Sequence, residues 1–268
     1  MIVRKSPAEL NRMRAANALV ADVLGELRAM VAPGVSTVDL DVAAERQIRE
    51  AGAVPAFKGY SGYPATLCAS VNEAVVHGIP TSTPLVEGDI VSLDIGVVLD
   101  GFYGDSAITL PVGDIPDRVS NLLRVTKESL DLAIEQVQVN GNLSDIGHVV
   151  QRHVEAHGYS VVREFVGHGI GTKLHEDPQI PNYGDPGNGP RLETGMVLAI
   201  EPMVTLGKPA VKVLDDGWTA VTRDGSLAAH FEHTVAVTDV GPEVLTRFDG
   251  GMASSEADSL LVGSARRG

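Results

Sequence analysis

The sequence has little of what marks a secreted or membrane protein. Its one cysteine, Cys68, cannot form a disulfide within the chain. The first ten residues, MIVRKSPAEL, lack the apolar stretch of a secretory signal. No apolar run approaches the roughly 18 residues that suggest a membrane span. We therefore expect a soluble, cytoplasmic protein that has no membrane partner.

Basic residues are also scarce. The 268 residues include 21 Lys and Arg against 35 Asp and Glu, which gives a formal net charge of −14. Because this acidic balance repels phosphate backbones, we expect no nucleic acid substrate. A hydrophobic content of 44% with 21% charged residues is too apolar for a disordered chain. The length allows one large domain or two small ones.

Helical periodicity occurs in four segments, two in each half of the chain. The first segment opens with the capping-box sequence Ser6-Pro7-Ala8-Glu9 and stops at Pro33-Gly34. The other three helices are predicted over 37–52, 116–138 and 144–157. Ser144 is the predicted N-cap of the fourth helix.

Strand patterns follow each pair of helices. They are predicted at 65–71, 161–167, 196–202 and 231–238, with a hairpin over 89–110. Two rounds of helices followed by strands predict a pseudo-duplicated α+β fold. In this fold the helices pack on one face of a largely antiparallel sheet.

Two aspartates occupy strand positions in the predicted hairpin. Over 89–99, Asp94 lies on the polar face of a strand whose other face is apolar. Asp100-Gly101 is a strong two-residue turn signal, which pairs position 94 with position 107 and makes Asp105 the diagonal neighbour of Asp94. Two facing carboxylates destabilise a sheet unless a cation lies between them. The alternative, a solvated sheet face, is disfavoured because Asp is depleted in strands.

Three further side chains extend this pair to a candidate metal site. Glu201 ends the apolar strand in GMVLAIEPM, Glu232 precedes the strand in FEHTVAVTD, and His168 lies in VGHGIG. Either glutamate alone could form a salt bridge at the sheet rim. Four carboxylates with one imidazole suit Mn²⁺, Fe²⁺, Co²⁺ or Zn²⁺, and four shared carboxylates favour two ions over one. The ligand set does not determine which metal is bound.

The remaining histidines carry weaker signals. His77, in VNEAVVHGIP, and His175, seven residues after His168, are each typical of loop histidines bonded to backbone when taken alone. On the fourth helix we interpret three as exposed or capping residues: His148, His153 and His157. His230 and His233 flank Glu232 and are interpreted as strand residues without a chemical role.

Five motifs together resemble the type I methionine aminopeptidases in order and spacing. They are VNEAVVHGIP, LDIGVVLDGFYGDSA, FVGHGIGTKLHEDP, IEPM and FEHT, within a resemblance that spans 4–245. It implies the pseudo-two-fold pita-bread fold, with a single catalytic domain over 1–245. The implied activity removes N-terminal methionine from peptides and nascent proteins, with a preference for a small second residue. The small, polar segment 246–268 is predicted to be a mobile tail.

The resemblance also assigns roles to residues of this sequence. The implied metal ligands are Asp94, Asp105, His168, Glu201 and Glu232. Of these, Asp105 and Glu232 would bridge two ions, which activate a water molecule to attack the scissile carbonyl. The implied catalytic residues are His77, His175 and Glu201. The two histidines would contact the substrate backbone and stabilise the tetrahedral intermediate.

The implied methionine pocket departs from the family at two positions. Its residues are Phe57, Tyr60, Tyr63, Cys68, Leu174 and Trp218, with His77 and His175 also contacting substrate. Phe57 stands where a small cysteine is common, and Leu174 stands where an aromatic residue is common. The pocket remains apolar, which suits the flexible thioether of methionine.

Two alternatives belong to the same fold. Proline-specific peptidases, such as prolidase, share a two-metal site but carry a separate N-terminal domain, whereas this pattern begins near residue 6. A catalytically dead binding protein would lack metal ligands, and all of them are present. Type II relatives carry a large helical insertion, for which the interval 175–201 leaves no room. We expect a monomer whose partners are peptide and nascent-chain N-termini, and a transient ribosome contact is left open.

Overall fold

Four helices form in the regions that the periodicity predicts. The structure, a computed structural model, describes residues 2–247, so most of the predicted tail, 248–268, lies outside the described residues. The helices are α1 Pro7–Met30, α2 Thr37–Glu50, α3 Asp117–Glu135 and α4 Leu143–Ala156. Within the described range, no helix combines the length and the apolar character needed to cross a membrane.

Capping boxes mark the start of α1, α2 and α4. Ser6 and Glu9 form the predicted capping box of α1, in which each side chain accepts the backbone N–H of the other. The prediction for α4 was wrong by two residues, because Asn142 rather than Ser144 is its N-cap. Asp145 accepts the backbone N–H of Asn142 at 3.3 Å, whereas the third residue after Ser144 is a glycine and cannot close such a box.

Fifteen strands are present in the part of the chain that the structure describes. They are β1 Val54–Pro55, β2 Leu67–Val71, β3 Ala74–Val76, β4 Ile90–Leu99, β5 Phe102–Pro111, β6 Ser160–Val161, β7 Gly167–Gly169, β8 Glu176–Ile180, β9 Val197–Ile200, β10 Met203–Thr205, β11 Val211–Val213, β12 Ala220–Thr222, β13 Ala228–His230, β14 Glu232–Thr238 and β15 Gly241–Val244. A short 3₁₀ helix, Tyr60–Gly62, follows β1.

The main sheet has nine strands and is antiparallel throughout. Its order is β1-β4-β5-β14-β9-β7-β8, with β2 paired to β4 and β15 paired to β14. Two small sheets accompany it, β13-β10-β6 and β11-β12-β3. The largely antiparallel α+β fold predicted from the sequence is therefore confirmed.

The hairpin of β4 and β5 has the predicted register. Leu99 pairs with Phe102, and Asp94 pairs with Ala107. Asp100 and Gly101 between the strands have φ angles of 50° and 79°. Positive φ at both turn residues is the requirement of a tight type I′ hairpin, which explains why Asp-Gly occurs there.

The prediction of one continuous strand over 161–167 is wrong, because its central residues lie in no strand. Strand β6 ends at Val161 and β7 begins at Gly167, and the residues between them lie in no strand. The reason is topological, because β6 pairs with β10 in a small sheet while β7 pairs with β9 in the main sheet. The segment therefore crosses from one sheet to another.

The core lies between the helices and one face of the main sheet. Leu93 and Ile95 of β4 are fully buried in a cluster that also contains Leu24 of α1 and Leu122 of α3. Each such side chain contributes roughly 1.5–3 kcal/mol through burial. Since side chains alternate along a strand, Asp94 projects from the opposite face of β4, away from this core.

Candidate active site

The sheet order brings the predicted metal ligands together. They lie on consecutive strands β4, β5, β14, β9 and β7 or directly after one of them: Asp94, Asp105, Glu232, Glu201 and His168. Asp94 and Glu232 pair in register with the same residue, Ala107 of β5. The five side chains therefore converge although they are distant in sequence.

His168 directs one ring nitrogen at the carboxylates. Its Nε2 lies 3.6 Å from Glu201 Oε1 and 4.0 Å from Asp105 Oδ2. Its Nδ1 lies 2.9 Å from the Gly169 carbonyl oxygen, which can only accept, so Nδ1 carries the proton and Nε2 keeps its lone pair. Candidate ligand atoms of Asp105, His168 and Glu232 all lie within 4.8 Å of one another.

The site concentrates negative charge in a buried environment. Burial raises the pKa of Asp94 to about 7. Burial followed by repulsion from neighbouring carboxylates raises the pKa values of Asp105, Glu201 and Glu232 well above their ordinary range. No lysine or arginine is among the described residues that line the cavity. Convergent carboxylates of this kind require positive charge to be ionised together.

Carboxylate oxygens without hydrogen-bond partners fit a site for divalent ions. Buried oxygens of Asp94, Asp105 and Glu232 have no hydrogen-bond partner within the described chain. Buried polar atoms ordinarily have a hydrogen-bond partner, so these three oxygens are suited to bind a ligand that the chain itself does not supply. Carboxylate oxygens with one imidazole nitrogen are the ligands that Mn²⁺, Fe²⁺, Co²⁺ and Zn²⁺ accept.

Buried hydrogen bonds hold the backbone of the ligand strands. Ser106 Oγ donates to the Glu232 carbonyl at 2.6 Å, and Thr234 Oγ1 donates to the Asp105 carbonyl at 2.8 Å. Asn182 Nδ2 donates to the Glu201 carbonyl at 2.9 Å. These side chains lock β5, β14 and the end of β9 against one another, which fixes the spacing of the carboxylates.

One cavity of about 170 Å³ combines the carboxylates with an apolar, aromatic wall. Every residue predicted for the site lines it: Phe57, Tyr60, Tyr63, Cys68, His77, Asp94, Asp105, His168, Leu174, His175, Glu201, Trp218 and Glu232. Tyr63 packs edge-on against Trp218 with ring centroids 5.1 Å apart. The sequence thus identified a set of residues that the fold assembles around one space.

Two histidines, His77 and His175, line the cavity together with the carboxylates and the aromatic residues. The His175 ring lies 4.4 Å from the His168 ring, and its Nδ1 is 2.7 Å from Tyr60 Oη. His77 has a φ of 61° and packs edge-on against Phe165. Burial and the neighbouring His175 lower the pKa of His77, which favours a neutral imidazole at pH 7.

The Phe57 ring lies against a glycine, Gly96 of β4, which has no side chain. A Cβ at Gly96 of β4 would lie 2.6 Å from Phe57 Cε1, which is closer than real contacts allow. Gly96 therefore makes room for the Phe57 ring. The larger residue at position 57 is accommodated by the strand that carries Asp94.

The sequence interpretation missed that His230 borders the site. Its buried Nε2 lies 3.9 Å from Glu201 Oε2 and lacks a hydrogen-bond partner within the described chain. Burial lowers its pKa to about 3. The spacing of two between His230 and Glu232 was the available signal, because alternate residues of an extended segment share a face. His233 instead contacts Thr246 Oγ1 at 2.8 Å.

Comparison with known proteins agrees with this geometry. Residues 11–239 match the metallopeptidase family M24. The chain belongs to metallopeptidase family M24. This M24 peptidase is 54% identical to methionine aminopeptidase 1 of Bacillus subtilis, over 92% of its own length and 100% of that relative.

Solved structures support both the family and the fold. The methionine aminopeptidase of Thermotoga maritima matches with a TM-score of 0.91 at 49% identity, covering 92% of this M24 peptidase and 100% of that chain. The resemblance to type I methionine aminopeptidases is therefore confirmed. A prolidase of Pyrococcus horikoshii shares the fold alone, with a TM-score of 0.74 at 20% identity over 93% of this chain and 65% of that one. The pita-bread prediction is confirmed, and family membership identifies a metal-dependent hydrolase.

Proposed function

We propose that this M24 peptidase removes N-terminal methionine from peptides and nascent proteins, preferring substrates with a small second residue. One observation carries the proposal: four carboxylates, of which those of Asp105 and Glu232 are buried, converge with His168 in a cavity that also has an apolar, aromatic wall. The names of the close relatives support the same substrate.

The metal ligands in this proposal are Asp94, Asp105, His168, Glu201 and Glu232. These five residues would hold two divalent ions of the Mn²⁺, Fe²⁺, Co²⁺ or Zn²⁺ class. When bound, such ions supply an activated water and polarise the scissile carbonyl. Glu201, whose carboxyl pKa is raised by burial, would accept a proton during turnover.

His77 and His175 would act on the substrate rather than on the metal. Tyr60 Oη is hydrogen-bonded to His175 Nδ1, so the Nε2 of His175 remains for the substrate. A neutral imidazole that donates a hydrogen bond would stabilise negative charge developing on the carbonyl oxygen. Both rings line the cavity beside the carboxylates, where such an oxygen would lie.

The methionine side chain would occupy the apolar part of the cavity. Its wall consists of Phe57, Tyr60, Tyr63, Cys68, Leu174 and Trp218. A thioether is polarisable and packs well against aromatic rings, each contact contributing about 0.3–1.5 kcal/mol. A charged or branched side chain would lose these contacts.

We further propose that residues 1–245 act as one catalytic domain in the cytoplasm. Support comes from a continuous core that includes Ala16 near the start and Val237 near the end of the described chain. The acting species would be a monomer that meets nascent-chain N-termini, with transient contact at the ribosome. Neither nucleic acid nor membrane is a proposed substrate, in keeping with the net charge of −14.

Hydrolysis of three peptides tests the proposal. With Met-Ala-Ser, Met-Lys-Ser and the dipeptide Ala-Pro at equal concentration, we expect rapid release of methionine from the first, slow release from the second and no cleavage of the third. Chromatography of the products gives all three rates. Cleavage of Ala-Pro alone would identify a proline-specific peptidase, and no cleavage by metal-loaded protein would identify a binding protein.

A further inference from the structure

A second cluster of metal-type ligands lies on α3 and α4, outside the active-site cavity. Glu128 of α3, His153 of α4 and His157 at the C-cap of α4 each offer a ligand atom, and these atoms lie within 4.8 Å of one another. We propose that Glu128, His153 and His157 bind one divalent transition-metal ion, with Zn²⁺ as the representative of the class.

The helix supplies two of the three ligands with the right spacing. His153 and His157 are four residues apart, so their side chains share a helix face, and their ring centroids are 4.6 Å apart. Pairs of histidines with this spacing are a known zinc-binding arrangement. Zinc holds nitrogen and oxygen ligands at about 2.0–2.2 Å, so ligand atoms on one ion lie at most about 4.4 Å apart. The observed separations, all within 4.8 Å, are close to this limit.

Neighbouring groups already orient the three ligands. His157 Nδ1 lies 2.8 Å from the His153 carbonyl oxygen, to which it must donate, so its Nε2 keeps a lone pair for a metal. Glu128 Oε1 accepts from Arg124 Nη1 at 2.6 Å and Glu128 Oε2 accepts from His153 Nε2 at 3.1 Å, so an ion bound here would replace the proton between these two atoms. Histidine ligands that donate their other N–H to a carbonyl, and ligating carboxylates that accept outer hydrogen bonds, are typical of metal sites.

The ligand set and the position define the class of ion. Two imidazole nitrogens and one carboxylate oxygen suit borderline ions such as Zn²⁺, Co²⁺ or Ni²⁺ better than Mg²⁺ or Ca²⁺. His157 is exposed and His153 is partly exposed, so an ion and its remaining water ligands can reach them. Because the ligands come from two helices, a bound ion would cross-link α3 to α4 and stabilise the folded chain.

Metal counting on matched variants tests the site. Full-length wild type, His157→Ala, Glu128→Gln and the control His148→Ala are equilibrated with Zn²⁺, freed of unbound metal and analysed by elemental mass spectrometry. His148 lies on the same helix but its Nδ1 contacts the Gly184 carbonyl oxygen at 2.9 Å, outside the cluster. We expect His157→Ala and Glu128→Gln to bind one ion fewer than wild type and His148→Ala to bind the same number.

The difference in bound zinc between wild type and each variant reports on the Glu128–His153–His157 site, whatever number of ions the active site holds. We also expect Zn²⁺ to raise the melting temperature of wild type more than that of His157→Ala, and methionine release to be equal in the two proteins. Equal zinc content in wild type, His157→Ala and Glu128→Gln would overturn the proposal. So would loss of an ion from His148→Ala to the same extent.

Discussion

At Asp94, strand geometry and burial both disfavour a charged side chain. A β-strand disfavours aspartate, and this one stands near the centre of β4 with its Oδ1 buried and unpaired among the described residues. Burial raises its pKa to about 7, so an isolated Asp94 would be partly protonated at neutral pH. The divalent ion that we propose for this site would reverse this preference, because its positive charge favours the ionised carboxylate.

His175 is proposed to act on the substrate and not on the metal, so its loss should affect turnover without affecting metal binding. We expect His175→Ala to reduce kcat by about 10²–10³, as for loss of a hydrogen-bond donor to a developing oxyanion, with unchanged metal content. Steady-state kinetics with Met-Ala-Ser and metal analysis of the same sample check this. Tyr60→Phe is the matched control, because it removes only the hydroxyl that contacts His175 Nδ1 and should have the smaller effect. Loss of metal would instead make His175 a ligand, and normal kcat would make it part of the scaffold.

At the scale of elements, a buried ion pair anchors the loop that carries His175. Lys5 Nζ lies 2.6 Å from Glu176 Oε2, and both side chains are almost completely buried. The other carboxylate oxygen accepts the backbone N–H groups of Thr172 and Lys173 at 2.8 and 3.2 Å. The segment before α1 therefore positions the loop between β7 and β8.

We expect Lys5→Met to destabilise the fold and to slow turnover. Breaking one partner of a buried pair costs about 3–5 kcal/mol, because Glu176 is left charged and unpaired. Urea unfolding and kcat measure the two effects, and Lys5→Arg should restore part of both. The exposed pair of Arg4 with Glu193 is the control, and Arg4→Ala should stay within about 1 kcal/mol of wild type. Equal effects of Lys5→Met and Arg4→Ala would contradict an anchoring role.

Elements whose sequence pattern lies within the element itself were predictable. Elements whose bounds depend on which sheet they join were not. The β4–β5 hairpin follows from alternation and from Asp100-Gly101, both of which lie within the segment itself. The segment 161–167 has apolar pairs on both sides of Arg163-Glu164, and it divides between two sheets because its ends pair with β10 and β9. The segment alone does not identify the two sheets, since its pairing partners lie elsewhere in the chain.

At the scale of the molecule, the site depends on a strand order that differs from the chain order. The sheet places β14 between β5 and β9, so Glu232 lies between Asp105 and Glu201. Spacing alone predicted the Asp94–Asp105 pair, because one hairpin contains both. Strand positions and the VGHGIG motif extended this pair to Glu201, Glu232 and His168, and the family resemblance then assigned their roles. The position of His230 beside Glu201 was missed because it depends on the packed fold.

Metal removal should make the stability of the whole protein depend on pH. In metal-free protein the pKa of Asp94, about 7, lies above the value of about 4 in an unfolded chain. The folded state then binds more protons than the unfolded state between these values, so the free energy of unfolding falls as pH rises through that window. Added Mn²⁺ or Co²⁺ offsets the repulsion among ionised carboxylates.

We therefore expect the metal ion to raise the melting temperature more at about pH 8 than at about pH 5.5, relative to protein with a chelator. Thermal melts at both pH values, with and without metal, give the comparison. Buried histidines outside the ligand set, such as His233, contribute equally with and without metal and cancel in the difference. The same metal-dependent shift at both pH values would contradict the assigned electrostatics.

Methionine release and bound metal, measured together on one preparation, test the central claim most directly. Wild type is assayed with Met-Ala-Ser before chelation, after chelation and after stepwise return of Mn²⁺ or Co²⁺, beside Asp94→Ala treated in the same way. We expect activity to vanish with the metal, to return in proportion to bound ions in wild type, and to stay absent in Asp94→Ala at reduced metal content. Undiminished methionine release from metal-free wild type, or normal metal content and turnover in Asp94→Ala, would contradict the account.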